Sequence, residues 1–186
     1  MDTTTLNMEI IPEIVLEEIL SKLKYHEVAI LRGVNKRFNS IGIRILNRGY
    51  KAAKLQHTKL YETIKESSSE NHSKYTENHP LMYHILIRHY DVLSTIARNL
   101  IILDDTFSNY INLNLCCFIP GQVIDNMMSI FQTIQEDWDD KRDVYRCECS
   151  NAYKALHKCI DTSVRAMKYF NEKIAPNLPI DNKTTN

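Results

Sequence analysis

The sequence has little of what usually reveals a catalytic function. Its 23 basic and 23 acidic residues leave a formal net charge of zero, which removes the electrostatic argument for a dedicated nucleic-acid binder. Only 4 of its 186 residues are glycines, and the sequence contains no Gly-rich phosphate loop, nucleophile elbow or His-Glu-x-x-His motif. Nothing therefore supports a hydrolase or a transferase, and we expect no catalytic residue and no cofactor.

Long apolar runs are also missing. No stretch of the sequence approaches the roughly 18 apolar residues of a transmembrane helix, and no basic-then-apolar segment opens the chain. We therefore expect no membrane contact and a location in the nucleus or cytoplasm. The five cysteines are an odd number without a regular framework, which fits reduced thiols in such a compartment better than disulfides.

Helical periodicity begins at residue 11. Pro12 suits a helix first turn, Gly33 can end a second helix, and Asn35 suits the N-cap of a third. The third helix carries two apolar stripes about 140° apart, so it has surface for two neighbours. Because three helices in roughly 40 residues leave too much apolar surface in water, some other part of the chain or a partner must cover them.

This segment resembles the F-box family, whose pattern begins with Leu-Pro and ends with Val-Cys-Lys-x-Phe. Here the segment begins with IP at residues 11–12 and ends with VNKRF at residues 34–38. Gly33 replaces a large aliphatic residue of the pattern, and we expect this departure to weaken helix packing or partner binding.

The resemblance implies a function without catalysis. An F-box docks on the adaptor Skp1, which joins it to a cullin and a RING subunit in an SCF ubiquitin ligase, while the rest of the chain presents a protein substrate. The contribution is proximity between substrate and conjugating enzyme, so the resemblance implies a non-enzymatic adaptor for an unidentified protein.

The resemblance also assigns the residues of the Skp1-docking surface and its supporting core. Leu16 or Leu20 is the candidate central anchor, and truncation of such an anchor to alanine should cost about 2 kcal/mol or more of binding free energy. The full set is Ile11, Pro12, Leu16, Ile19, Leu20, Leu23, Leu31, Val34, Lys36 and Phe38.

Periodicity predicts an all-α fold, and the resemblance implies that its first unit is a three-helix F-box, which precedes a small helical domain. The polar linker contains no aliphatic residue, a composition typical of disorder. The predicted units are a flexible arm (1–10), the F-box (11–50), a helix extension (51–65), the polar linker (66–80), a helical domain (81–176) and a polar tail (177–186).

Two runs in the helical domain, residues 114–125 and 166–176, resemble the segment that follows the F-box in one group of F-box proteins. Members of that group continue into a long coiled coil and a basic tail, whereas this sequence ends at Asn186. Self-association through a coil and nuclear import through a tail are therefore not expected to carry over.

Other features leave alternatives open. Cys147, Cys149, His157 and Cys159 are of the residue types that bind zinc, but their spacing is not that of a zinc finger, and Cys159 also fits the apolar stripe of the last helix. The basic residues between Arg37 and Lys54 are predicted to form a solvated face, with an acidic partner as the alternative. Besides the ligase adaptor, a Skp1-binding scaffold outside ubiquitin transfer and a zinc-dependent regulatory module remain possible functions.

Overall fold

The computed structural model describes residues 11–70, 80–118, 120–139 and 149–178, and within these ranges it contains helices and no strands. The predicted all-α class is therefore confirmed. The last helix continues into a π-helical turn, Phe170–Ile174, and a 3-10 turn, Ala175–Asn177. The helices are α1 (Glu13–Ser21), α2 (Tyr25–Leu31), α3 (Lys36–Glu70), α4 (Pro80–Asn112), α5 (Gly121–Asp139) and α6 (Cys149–Tyr169). None of these described helices is long and apolar enough to cross a membrane.

Local capping explains where the first three helices begin. The Pro12 carbonyl accepts hydrogen bonds from the amides of Val15 and Leu16, so α1 starts immediately after the proline. The Glu27 side chain reaches back to the Lys24 amide at 2.8 Å, which satisfies a free N–H at the start of α2. The predicted N-cap at Asn35 is confirmed, because its Oδ1 accepts from the Phe38 amide at 2.9 Å.

Helix α3 is continuous over 35 residues and therefore passes through three of the predicted units. The boundary between the F-box and the helix extension falls inside it, and its last residues, 66–70, occupy the start of the predicted linker. Residues 71–79 lie outside the described ranges, as do the predicted arm and most of the predicted tail. One helix thus serves both the N-terminal unit and the helical domain.

The second part of α3 forms a four-helix bundle with α4, α5 and α6. Helices α3 and α4 run antiparallel, because Lys54 pairs with Asp104 late in α4 at 3.0 Å, whereas Tyr61 meets Tyr90 early in α4 at 3.0 Å. The centre of the bundle consists of close-packed apolar side chains. Its largest fully buried members include Ile64, Leu93, Ile96, Leu103, Phe107, Phe118, Ile124, Phe131 and Phe170.

Helices α4 and α6 run parallel, because α5 lies between them in the chain and runs antiparallel to α4, with His89 early in α4 lying 3.0 Å from Asp137 late in α5. Asn99 donates to Ser163 Oγ at 3.0 Å, and further along both helices the rings of Phe107 and Phe170 lie 4.7 Å apart. Asn99 and Ser163 are both buried, so this hydrogen bond satisfies polar groups that water does not reach.

The connection between α4 and α5 closes that end of the bundle. Asn114 ends α4 with a φ of 57°, a left-handed conformation that asparagine tolerates better than most residues. Phe118 then enters the core, where its ring stacks on Tyr50 at 3.9 Å between centroids and 5° between planes. The Phe118 amide donates to Asn47 Oδ1 at 2.9 Å. This hydrogen bond holds the segment between α4 and α5 against α3.

Helix α2 packs against both α3 and α5, and this contact joins the N-terminal unit to the bundle. Asp125 of α5 accepts hydrogen bonds from the amides of Tyr25 and His26, each at 2.9 Å, so a carboxylate caps the positive end of α2. The close approach depends on two glycines. A Cβ at Gly49 would lie 2.1 Å from the Tyr25 ring, and one at Gly121 would lie 2.3 Å from the Tyr25 carbonyl oxygen.

Two histidines are buried inside the bundle. His57 Nε2 lies 2.8 Å from the Leu93 carbonyl oxygen, and His89 Nε2 lies 3.0 Å from Asp137 Oδ2. Burial lowers the pKa of His57 and outweighs the opposing effect of the hydrogen bond to Leu93. Burial likewise lowers the pKa of His89, against the attraction of the Asp137 carboxylate. The folded chain therefore favours the neutral form of both rings.

We expect acid to destabilise the fold through these histidines. As the pH falls below the unfolded-state pKa of about 6.5, the unfolded chain binds more protons than the folded chain, so the free energy of unfolding decreases until the lowered pKa values are reached. Each histidine contributes at most about 1.4 kcal/mol per pH unit. The amide of the variant His57→Gln can still donate to Leu93. This variant should reduce the slope of the unfolding free energy against pH, measured by urea unfolding between about pH 7 and 5.5.

His157→Gln, at an exposed position on α6, is the control for removing a histidine from the chain. Parallel slopes for the parent and His57→Gln would contradict the account of His57.

Candidate protein-docking site

The structure separates the predicted Skp1-docking residues into core and surface positions. Leu16, Leu20 and Phe38 are buried in the core. Leu16 and Leu20, the two candidate anchors, therefore expose almost no surface and pack in the core. Of the other predicted residues, Ile11 and Leu31 are half-buried, whereas Pro12, Ile19, Leu23, Val34 and Lys36 are exposed.

Three exposed apolar residues of α1 and the turn after it follow each other at helical spacing and form a stripe, which does not include the exposed Ile14. Val15 and Ile19 are four residues apart, which places them on the same side of α1, and Leu23 follows at the same interval just past the end of the helix at Ser21. Their exposed fractions are 45%, 46% and 37%. Contiguous exposed apolar surface of this kind marks interaction sites.

Two further exposed aliphatic residues lie at the end of the second helix. Ile30 is in the last turn of α2 and Val34 is in the turn that follows, and both are more exposed than the residues of the α1 stripe. We refer to Val15, Ile19, Leu23, Ile30 and Val34 as the α1–α2 apolar face. The predicted site omitted Val15 and Ile30, although the spacing of Val15 from Ile19 is a signal that could have included it.

Ion pairs join α1 to α3. They lie on the side of α1 that does not carry the stripe. Arg44 lies 2.6 Å from a Glu13 oxygen and 2.8 Å from a Glu17 oxygen, and Arg48 lies 2.9 Å from the other Glu17 oxygen. Hydrogen bonds from Arg44 and then Arg48 lower the pKa of Glu17. Since the pairs are partly exposed, each contributes only modestly to stability. Their consequence is orientation, because they hold α1 with its apolar stripe outward.

The basic residues of α3 combine solvent exposure with contacts to neighbouring helices, and Arg44, Arg48 and Lys51 are exposed. Arg44 and Arg48 pair with α1, and Lys54 pairs with Asp104 of α4. Arg37 donates a hydrogen bond to the Ile11 carbonyl. The predicted face is therefore solvent-exposed in part, and four of its side chains also connect α3 to its neighbours.

Gly33 does not leave a gap in the packing. The residue is exposed, and a Cβ built on it would meet only the Ile30 carbonyl oxygen at 3.5 Å. This is an ordinary van der Waals distance, so the missing side chain of the F-box pattern costs the core no contact in this structure.

The predicted zinc ligands are not assembled in the described part of the chain. Cys159 is buried in the core, and burial raises the pKa of its thiol to about 12, which disfavours the thiolate that zinc requires. His157 is exposed on α6. Cys147 and the side chain of Cys149 lie outside the described residues, and within the described residues no three His, Cys, Asp or Glu side chains form a group that could hold a metal.

The geometry defines a class of protein: a short N-terminal helical unit with an exposed apolar face, seated on a helical bundle. The family model for the F-box domain matches residues 8–42, which include α1, α2 and the start of α3. The first unit of this chain is therefore an F-box domain.

Similarity to known proteins extends beyond the F-box. The chain is 33% identical over 172 residues to F-box only protein 28 of Bos taurus, Homo sapiens and Mus musculus. Each alignment covers 89% of this chain and 41% of the relative, so the chain spans less than half the length of these relatives. No solved structure matches the chain.

Proposed function

We propose that this chain is a substrate-recognition adaptor of an SCF ubiquitin ligase and that it docks Skp1 through the α1–α2 apolar face. The observation that carries the proposal is the stripe of Val15, Ile19 and Leu23, three aliphatic side chains left in water within the segment that matches the F-box domain. Burial of this stripe against a partner would remove the apolar surface that the fold itself leaves uncovered.

In this proposal the two parts of the chain have different tasks. The F-box docks Skp1, which brings the cullin and RING subunits, and the four-helix bundle presents a protein substrate whose identity stays open. The chain is not an enzyme, since its contribution is to convert a bimolecular encounter between substrate and charged conjugating enzyme into an effectively intramolecular step. We place it in the nucleus or cytoplasm, where such complexes act.

The seating of α2 on α5 supports this division of labour. Since Asp125 and the glycine contacts fix α2 against the bundle, the angle between docking face and bundle is set by packing rather than by a flexible linker. A rigid adaptor holds a bound substrate at a defined position, which is what a proximity mechanism needs.

We expect Ile19→Glu to weaken Skp1 binding by about 2 kcal/mol or more, or roughly thirtyfold in Kd. Ile19 lies in the middle of the stripe, and its replacement would bury an unpaired carboxylate in an apolar interface. Because the side chain is 46% exposed in the free chain, the substitution should leave the fold intact. Isothermal titration calorimetry with purified Skp1 measures the change directly, and circular dichroism checks the fold.

Ile101→Glu is the matched control, since Ile101 is 61% exposed on α4 and lies outside the F-box. It should bind Skp1 as the parent does. Leu16→Ala is a poor test, because loss of a buried leucine would damage the fold and the docking face together. Parental affinity in Ile19→Glu would contradict the proposed face. Skp1 binding without cullin co-purification would favour the scaffold alternative instead.

A further inference from the structure

A cleft of about 580 Å³ lies where the F-box meets the bundle. Its walls come from three parts of the chain: the end of α2 with the first half of α3, the connection that follows α4, and the C-terminal segment around Leu178. The volume lies in the range of ligand-binding clefts. The cleft lies apart from the α1–α2 apolar face, none of whose five residues lines it.

The cleft contains one charge without a counter-charge. Among the described residues that line it, Arg32 is the only charged one, and no described carboxylate lies within ion-pair distance of its guanidinium. The nearby thiols do not supply a negative charge, because burial raises the pKa of Cys116 to about 11 and also raises that of Cys117. The cleft is therefore electropositive and complementary to an anion.

Arg32 is positioned by packing and by a hydrogen bond. Its aliphatic stem crosses α3 at Gly42, where a Cβ would lie 2.5 Å from the Arg32 Cγ. Its Nε donates to Asn39 Oδ1 at 3.0 Å. These contacts and a hydrogen bond with the Cys117 side chain hold the half-buried side chain in place, so the guanidinium is largely ordered before a ligand binds.

Two of the three asparagines that line the cleft accept a hydrogen bond through the side-chain oxygen, which leaves their Nδ2 groups as donors. Asn39 Oδ1 accepts from Arg32 Nε, and Asn47 Oδ1 accepts from the Phe118 amide. Because both of these partners can only donate, each side-chain oxygen is fixed by its hydrogen bond and each Nδ2 amine points elsewhere. The cleft thus combines a guanidinium with amide donors, an arrangement that favours a ligand rich in acceptors.

Aliphatic side chains complete the cleft. Ile43, Leu115 and Ile174 are among its lining residues, so a ligand must carry apolar groups close to its anionic group. A single guanidinium matches the single charge of a carboxylate better than the charge of nearly two on a phosphate, which Arg clusters usually recognise. Peptides combine a carboxylate, backbone acceptors and apolar side chains in one chain.

We propose that this cleft binds a peptide segment of a protein substrate, with a carboxylate on Arg32 and an apolar side chain against the aliphatic wall. The carboxylate belongs either to the C-terminus of the peptide or to an aspartate or glutamate side chain. The inference rests on the proposed adaptor function, since it names the substrate feature that the adaptor recognises.

Three pools of random octapeptides, attached to beads through their N-termini, test the proposal on the full chain. The first pool has free C-terminal carboxylates and no Asp or Glu, the second has C-terminal amides and one Asp or Glu, and the third has amides and no carboxyl group. We expect the fluorescently labelled chain to be captured about tenfold or more above the third pool by at least one carboxylate pool, and that pool identifies the source.

Arg32→Gln should reduce capture to the level of the third pool, and Arg32→Lys, which keeps the charge but loses the fork, should give an intermediate level. Arg98→Gln, on the exposed surface of α4, is the control and should behave as the parent. Equal capture by all three pools, no capture by any pool, or capture unaffected by Arg32→Gln would overturn the proposal. Skp1 binding by Arg32→Gln is measured in parallel, so failure of the cleft is distinguishable from failure of the adaptor function.

Discussion

Replacement of Gly121 by alanine is expected to lower the free energy of unfolding by about 3 kcal/mol, as overpacking of a close contact does. The added Cβ would lie 2.3 Å from the Tyr25 carbonyl oxygen and 2.8 Å from the His26 amide nitrogen. Both are backbone atoms, so no side-chain rotation can relieve the clash. Movement of α2 away from α5 would in turn break the hydrogen bonds from Tyr25 and His26 to Asp125. Urea unfolding monitored by circular dichroism measures the loss.

Gly33→Ala is the matched control for this substitution. Its Cβ would meet only the Ile30 carbonyl oxygen, at 3.5 Å, so the free energy of unfolding should change by no more than about 0.5 kcal/mol. If Gly121→Ala were as stable as Gly33→Ala, α2 would not be seated on α5 as described, and the F-box would not be rigidly attached to the bundle.

Truncation of Phe118 to alanine is expected to cost about 4 kcal/mol of stability, as for other buried phenylalanines. The ring is fully buried, stacks on Tyr50 and meets the edge of Phe107 at 5.3 Å between centroids. Its removal would leave a cavity between α3 and α4 and would unfasten the connection that closes the bundle. The effect should appear as a lower midpoint denaturant concentration, with the dependence of the unfolding free energy on denaturant concentration unchanged.

Tyr169→Ala provides the comparison, because this aromatic residue is 59% exposed and should lose no more than about 0.5 kcal/mol. Similar losses in Phe118→Ala and Tyr169→Ala would show that the connection after α4 does not enter the core.

Local features of the fold could be predicted from the sequence because they depend on neighbouring residues. Asn35 caps α3 through a residue three positions away, and α5 begins at Gly121, directly after Pro120, a residue type that interrupts helices. The all-α class follows from the same short-range periodicity. These signals act within one or two turns of helix, so the sequence displays them directly.

Long-range contacts could not be predicted in this way. Asp125 caps α2 from 99 and 100 residues away, and nothing local distinguishes it from other acids at the start of a helix. A side chain is excluded at Gly49 by the Tyr25 ring and at Gly121 by the Tyr25 backbone. Gly33, the glycine that departs from the F-box pattern, has only the Ile30 carbonyl oxygen near its Cβ position. Which glycine is essential is decided by tertiary packing.

The division between buried and exposed apolar residues on α1 has the same origin. The apolar residues of α1 span an arc too wide for a single core stripe. Periodicity therefore does not tell whether Leu16 or Ile19 is the residue buried against α3. The structure buries Leu16 and Leu20 and leaves Val15, Ile19 and Leu23 exposed. The resemblance to the F-box gives the list of candidate docking residues, and the packing of α1 on α3 decides which of them are buried and which are exposed.

The most direct test of the proposed function is size-exclusion chromatography of the full chain co-expressed with Skp1, compared with each protein alone. The account predicts a stable one-to-one complex, which elutes ahead of both components, and its loss in Ile19→Glu. A folded chain that elutes separately from Skp1 would contradict the central claim that the exposed face of α1 and α2 is a Skp1-docking surface.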